Sequence, residues 1–178
     1  SFVPQKTDLE TDFTAEEIVM TGRTPYQGRF LGTSVNDKEA VSRAFSLTKA
    51  DKLKDKKFAI LSGGEKQKIV IARAVAQTTP WMLLDEPIAS LDIKNQIEIM
   101  QTLLELNRQE GVSVLMVLHD INLAGIYCDR LIMLKDGQVI AAGNTNECLC
   151  EENLKKLYDI SFFHMDTKKG QRYYYAEI

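Results

Sequence analysis

The chain has 178 residues, 44% apolar and 26% charged, a balance that supports a packed core and excludes a disordered polypeptide. Lys and Arg number 22 against 25 Asp and Glu, so a net charge of −3 sets up no global field toward nucleic acid or anionic lipid. The longest apolar runs, such as 114–118, are too short to cross a bilayer, and the opening residues do not read as a charged-then-apolar leader.

In chain order, "SFVPQ" is an apolar pair followed by a turn signal, which reads as the end of a strand; with Ser rather than Met first, the sequence is expected to be a fragment. Apolar residues at three- and four-residue spacings predict helices over 14–21 and 37–54, separated by the glycine-containing loop "TGRTPYQGRFLGTS". A helix is predicted over 65–77, and a buried strand over 81–84 that ends on Asp85. A long amphipathic helix over 93–109 follows, with the stripe Ile93, Ile97, Met100 and Leu104, and Gly111 ends it. A second buried strand, 112–118, ends at His119 and leads into a helix over 121–128. Strands alternating with helices in this order predict an α/β fold with a parallel sheet. "RLIMLKDGQVIAAG" then predicts a β-hairpin turning at Asp136-Gly137, followed by a short helix over 151–158 and a closing strand in "RYYYAEI". Cys128, Cys148 and Cys150 lack metal-like spacing and suit unpaired thiols in a reducing compartment.

Two stretches carry chemistry. "WMLLDEP" ends an apolar strand on two adjacent carboxylates, and in open α/β sheets ligands sit at the carboxyl ends of strands. Asp85 and Glu86 therefore suit a magnesium ion and a polarised water, although a solvated strand end reads equally well from these residues alone. "LSGGEKQK" places Ser62, Gly63 and Gly64 at the start of a helix, where free backbone N–H groups and the helix dipole favour an anion. Its plainer reading is a capping box, with Ser62 as cap and Glu65 three residues on. Gln5 alone is a polar loop residue and His119 alone a structural histidine; their place in a series changes that.

The series "VPQ", "LSGGE", "LLDEP", "SLD" and "VLHD" runs through one chain in that order. Together these resemble the glutamine loop, signature motif, Walker B strand, D-loop and histidine switch of the ATP-binding-cassette (ABC) ATPase family. The resemblance implies a partial P-loop NTPase fold: a glutamine loop and helical subdomain over 1–60, a signature, Walker B, D-loop and switch-histidine core with hairpin over 61–144, and a C-terminal extension over 145–178. It implies ATP and Mg2+ as cofactors. Glu86 would be the general base, Asp85 would hold magnesium through water, and Gln5 would lie near the magnesium and γ-phosphate. His119 would contact the γ-phosphate. Ser62, Gly63 and Gly64, with Glu65 beside them, would bind ATP held by a second subunit, and Asp92 would face that subunit's site.

One part of the family pattern is missing. None of the ten glycines is followed by lysine, so no G-x-x-x-x-G-K-[ST] loop is present to cradle phosphates. These residues alone are expected to bind and hydrolyse ATP weakly or not at all, and to leave an unpaired sheet edge at the strand ending at His119. "GRTPY" and "HDINLA" followed by "YCD" resemble the importers of iron-siderophore, haem and vitamin B12 type. That branch implies transmembrane permease partners received around residues 26–30, a dimeric ATP-binding subunit, no nucleic acid, and a cytoplasmic position on the inner face of the membrane. A soluble non-transport ABC ATPase and a catalytically silent interaction fragment are the alternatives.

Overall fold

A computed structural model describes residues 1–5, 12–27, 32–168 and 170–177. The chain divides into two compact units, Ser1–Val117 and Leu118–Ile178. In the first, β1 (Phe2–Val3), β2 (Trp81–Leu84) and β3 (Ser113–Met116) form a parallel sheet in the order β1-β2-β3. Alternation along β2 buries Met82 and Leu84 and exposes Trp81 and Leu83. Phe2, Leu83 and Leu115 share register across the three strands and are all exposed, an open apolar face where parallel sheets are ordinarily covered on both sides. Among the described residues β3 has one hydrogen-bonded neighbour, so the unpaired edge expected there is seen.

On the buried side pack α1 (Ala15–Thr21), α2 (Val35–Leu47), α3 (Gly63–Ala76) and α4 (Ile93–Glu110), around Val3, Phe45, Phe58, Ile69, Ile71 and Leu103. The first three helices start at capping boxes, Thr14 with Glu17, Ser34 with Asp37 and Ser62 with Glu65, each satisfying two otherwise orphaned N–H groups. α2 is shorter than the predicted 37–54. Lys49 turns left-handed at φ 55°, Ala50 N–H donates to Phe45 O at 2.9 Å and Lys49 N–H to Ser46 O at 3.1 Å, a Schellman closure made without glycine. The predicted stripe of α4 is also corrected. Ile93 is 75% exposed and Ile97 38%, while Ile99, Met100, Leu103 and Leu106 are buried, because packing against α3 and β3 selects a face rotated from that line.

Arg23 and Asp37 form a buried ion pair at 2.9 Å in this unit. Hydrogen bonds from the Ser34 side chain and backbone, then the Arg23 guanidinium, hold the Asp37 carboxyl down at about 2. A folded value below the unfolded one means that this contribution is complete above about pH 4 and is lost as the pH falls toward 2. Thermal melts between pH 5 and pH 2 should therefore show a steeper acid loss in the parent than in Asp37→Asn; equal slopes would contradict the assignment.

Where α1 ends, a Cβ on Gly22 would stand 2.2 Å from Arg73 O of α3, a backbone atom that cannot swing away. Gly22→Ala is expected to destabilise by about 2 kcal/mol, readable as a lower urea midpoint.

The second unit contains α5 (Ile121–Tyr127), β4 (Arg130–Lys135), β5 (Gln138–Asn144), α6 (Thr145–Cys148), α7 (Glu151–Tyr158), β6 (Phe162–Asp166) and β7 (Arg172–Ala176). β4 and β5 pair antiparallel around Asp136 and Gly137, both at positive φ (50° and 75°), as the two-residue turn in the sequence demands. A second hairpin, β6 with β7, appears where only the closing strand was expected. Asn122 fastens β7 to α5: its Nδ2 donates to Tyr174 O at 3.2 Å and its Oδ1 accepts from Tyr174 N–H at 2.8 Å. Met133, Cys148, Leu149, Leu154 and Tyr174 form the core. The three cysteines are free, and burial pushes the Cys128 thiol up to about 11, which keeps it protonated and unreactive.

Candidate functional site

The parallel register brings the carboxyl ends of β1 and β2 side by side, with Asp85 N–H donating to Val3 O at 2.9 Å. Gln5 leaves β1 where Asp85 and Glu86 leave β2, and Gln5 Nε2 donates to Glu86 Oε2 at 2.6 Å. Glu86 holds φ at 46°, a left-handed backbone that costs a non-glycine residue about 1–3 kcal/mol and clusters at functional positions. The turn beyond it closes through Ala89 N–H to Glu86 O at 3.3 Å, and buried Ile88 anchors it. Gln5, Asp85 and Glu86 thus form one group.

A second group in the same unit joins the predicted glycine turn to Asp92. Ser62 Oγ accepts from Glu65 N–H at 3.3 Å, and Glu65 Oε2 accepts from Ser62 N–H at 2.9 Å. The capping box is therefore realised. Hydrogen bonding to Ser62, chiefly from its backbone N–H, with Lys56 nearby, holds the Glu65 carboxyl below its usual range. Gly63 faces Leu91, and Gly64 lies against the Asn95 side chain. Asp92 caps α4 by accepting from Asn95 N–H at 2.8 Å, and hydrogen bonds from the Asn95 backbone and carboxamide lower its carboxyl.

His119 is exposed and belongs to the C-terminal unit, one residue before Asp120, which caps α5 by accepting from Asn122 and Leu123 N–H. Of the stretch 26–30 expected to meet a permease, Tyr26 is half-exposed; its hydroxyl donates to Gln77 O at 2.6 Å, and its ring lies 4.0 Å under the Arg23 guanidinium. Residues 28–30 lie outside the described residues. Arg23 enters the sequence reading only as part of "GRTPY", without a role, and Asn95 does not enter it. A buried arginine carries no local pattern, and Asn95 shows only as a polar residue in the first turn after a capping Asp.

Asp85 and Gln5 present oxygen donors at a strand end, the donor type a hard cation takes. Among the described residues no group of three or more His, Cys, Asp or Glu could hold a metal. No helix among the described residues is long and apolar enough to cross a membrane.

Side chains converging at the carboxyl ends of a parallel sheet define a ligand-binding α/β fold. The chain belongs to the ABC transporter family, whose profile matches residues 1–89. It is 39% identical over 155 residues to the ferric enterobactin transport ATP-binding protein of Escherichia coli (strain K12), covering 87% of this chain and 57% of that protein. With the achromobactin transport ATP-binding protein of Dickeya dadantii (strain 3937) it shares 37% identity over 171 residues, 92% of this chain and 64% of that one. A solved chain of a metal-chelate type ABC transporter in an inward-facing conformation superposes with a TM-score of 0.93 at 27% identity, covering 99% of this chain and 71% of the solved one. The chain spans 57% and 64% of the lengths of these two curated relatives. The partial ABC ATPase fold expected from the sequence is thus the fold observed.

Proposed function

We propose that this chain is the signature-bearing part of an ATP-hydrolysing subunit that drives import of an iron-siderophore, haem or cobalamin complex. It would act as a dimer with a second ATP-binding subunit, on permease subunits at the inner face of the membrane. The observation that carries the reading is the Gln5–Glu86 hydrogen bond at adjoining strand ends, which aims a carboxylate from a constrained backbone. The names of the relatives support the substrate class.

In this reading Glu86 takes the proton of the attacking water, and Gln5 fixes the orientation of its carboxylate. Asp85 and Gln5 supply donors for magnesium, whose chemistry when bound is to neutralise charge on the phosphoryl group. His119 donates to the γ-phosphate. Ser62, Gly63 and Gly64 offer a hydroxyl and helix N-terminal N–H groups to ATP held by the second subunit, with Glu65 bracing the turn, and Asp92 faces the same subunit. The phosphate-cradling lysine loop is not among these residues, so this polypeptide alone is expected to turn over weakly or not at all.

Joining a P-loop segment ahead of Ser1 tests the reading. ATPase activity gained, together with co-purification of a permease, supports it. Activity without any permease would favour a soluble ABC ATPase, and bound nucleotide without turnover a silent interaction module.

A further inference from the structure

We propose that Asn95 is a positioning residue that locks the Ser62–Glu65 turn to the Asp92 loop, so that both meet the second subunit's nucleotide as one rigid element. The inference rests on the nucleotide-hydrolysing reading above. Its geometry does not.

Asn95 stands in the first turn of α4, and its carboxamide reaches in two directions. Nδ2 donates to Asp92 Oδ2 at 2.8 Å, while the Asn95 backbone N–H donates to Oδ1 of the same carboxylate at 2.8 Å. Both oxygens of Asp92 are thereby engaged from one residue, which sets the carboxylate plane. The other side of the carboxamide lies on Gly64: a Cβ built there would stand 2.4 Å from Asn95 Cγ and 2.4 Å from Oδ1. Gly64 is buried, and its hydrogen is what allows α3 and α4 to approach this closely. One turn further along, Lys68 Nζ of α3 meets Glu98 Oε2 of α4 at 2.7 Å, so the two helix starts are clamped at successive turns. The carboxamide thus joins the two by a hydrogen bond to Asp92 on one side and close packing on Gly64 on the other, and a displaced Asn95 would let each drift against a nucleotide held elsewhere.

The test uses the full-length protein from its own gene, with MgATP turnover and thermal melting measured in parallel. Asn95→Ala keeps the backbone N–H that caps α4 but removes the carboxamide. It should lower kcat about tenfold or more, with KM and melting temperature nearly unchanged. Asn95→Asp sets a second carboxylate against Asp92, with Lys94 and Glu98 on α4 and Lys68 on α3 as the neighbouring charges. Two carboxylates at that distance are relieved by sharing a proton, so its kcat relative to the parent should recover as pH falls, and that of Asn95→Ala should not. A third measurement is the cycle of Gly64→Ala with Asn95→Ala: the melting loss from Gly64→Ala should shrink when the carboxamide is absent.

Parent-like kcat in Asn95→Ala, a loss matched by collapse of the melt, or a flat relative pH profile for Asn95→Asp would each overturn the positioning role. If the parent itself hydrolyses no ATP, the proposed function fails instead, and the melting cycle still decides the contact: additive losses sink it, and a smaller double loss upholds it.

Discussion

Replacing Glu86 by glutamine is expected to lower ATP turnover of the full-length protein about 100- to 10,000-fold while leaving nucleotide binding nearly unchanged. The expectation rests on shape as well as chemistry. Glu86 sits at φ 46°, where the sheet on one side and the Ala89 turn on the other hold it. Gln5 donates to it at 2.6 Å, and a substituted amide can still accept that hydrogen bond. The variant therefore keeps its place and loses only the ability to take a proton from water. If the proposed dimer forms, retained binding with lost turnover should also trap it with ATP bound, visible as a shift in size-exclusion elution when ATP is added. Turnover within about fivefold of the parent would remove Glu86 from the role of base.

Arg23→Met should lower the melting temperature by about 10 °C or more, the largest stability effect expected in the chain. Arg23 is only 7% exposed, and its guanidinium is held on several sides. Nε donates to Asp37 Oδ1 at 2.9 Å, and one terminal nitrogen donates to Ala76 O at 2.8 Å and Thr78 Oγ1 at 3.2 Å. The group also lies 4.0 Å from the Tyr26 ring centroid. Its removal leaves a buried carboxylate without a counter-charge, and the Ala76 carbonyl at the end of α3 and the Thr78 hydroxyl without that donor. Lysine cannot form the same planar fork, so Arg23→Lys should recover only part of the loss. Circular dichroism melts of the three proteins measure this; a shift under about 2 °C for Arg23→Met would show that the ion pair contributes little.

Much of this molecule was legible before any coordinates. Ser62 and Glu65 start α3 as the capping box their spacing predicts, and Thr14 with Glu17 and Ser34 with Asp37 start α1 and α2 in the same way. Asp136-Gly137 forms the turn its residue types require. The order of motifs, from Gln5 through Asp92 to His119, sufficed to indicate the family that the comparisons then showed. These signals are local: each depends on residues a few positions apart, so the chain itself states them.

What the sequence could not state are a helix stop without glycine and contacts made at long range. α2 stops at Leu47 because a left-handed Lys49 lets Ala50 close back on Phe45, a choice no glycine announces. α4 buries Leu103 and Leu106 rather than Ile93 because α3 and β3 select which of two apolar lines faces inward. β6 is revealed by its partner β7, since the alternation in "FFHMD" is weak on its own. The Gln5–Glu86 pair spans 81 positions, and the approach of Gly64 to Asn95 brings together two helix starts. By itself the sequence determined most of the element types, the Ser62 cap and the family, because backbone propensity and side-chain type act locally. Only the tertiary structure decided which carboxylate is aimed, which arginine is buried and which asparagine joins two loops, because close packing fixes those partners after the chain has folded upon itself.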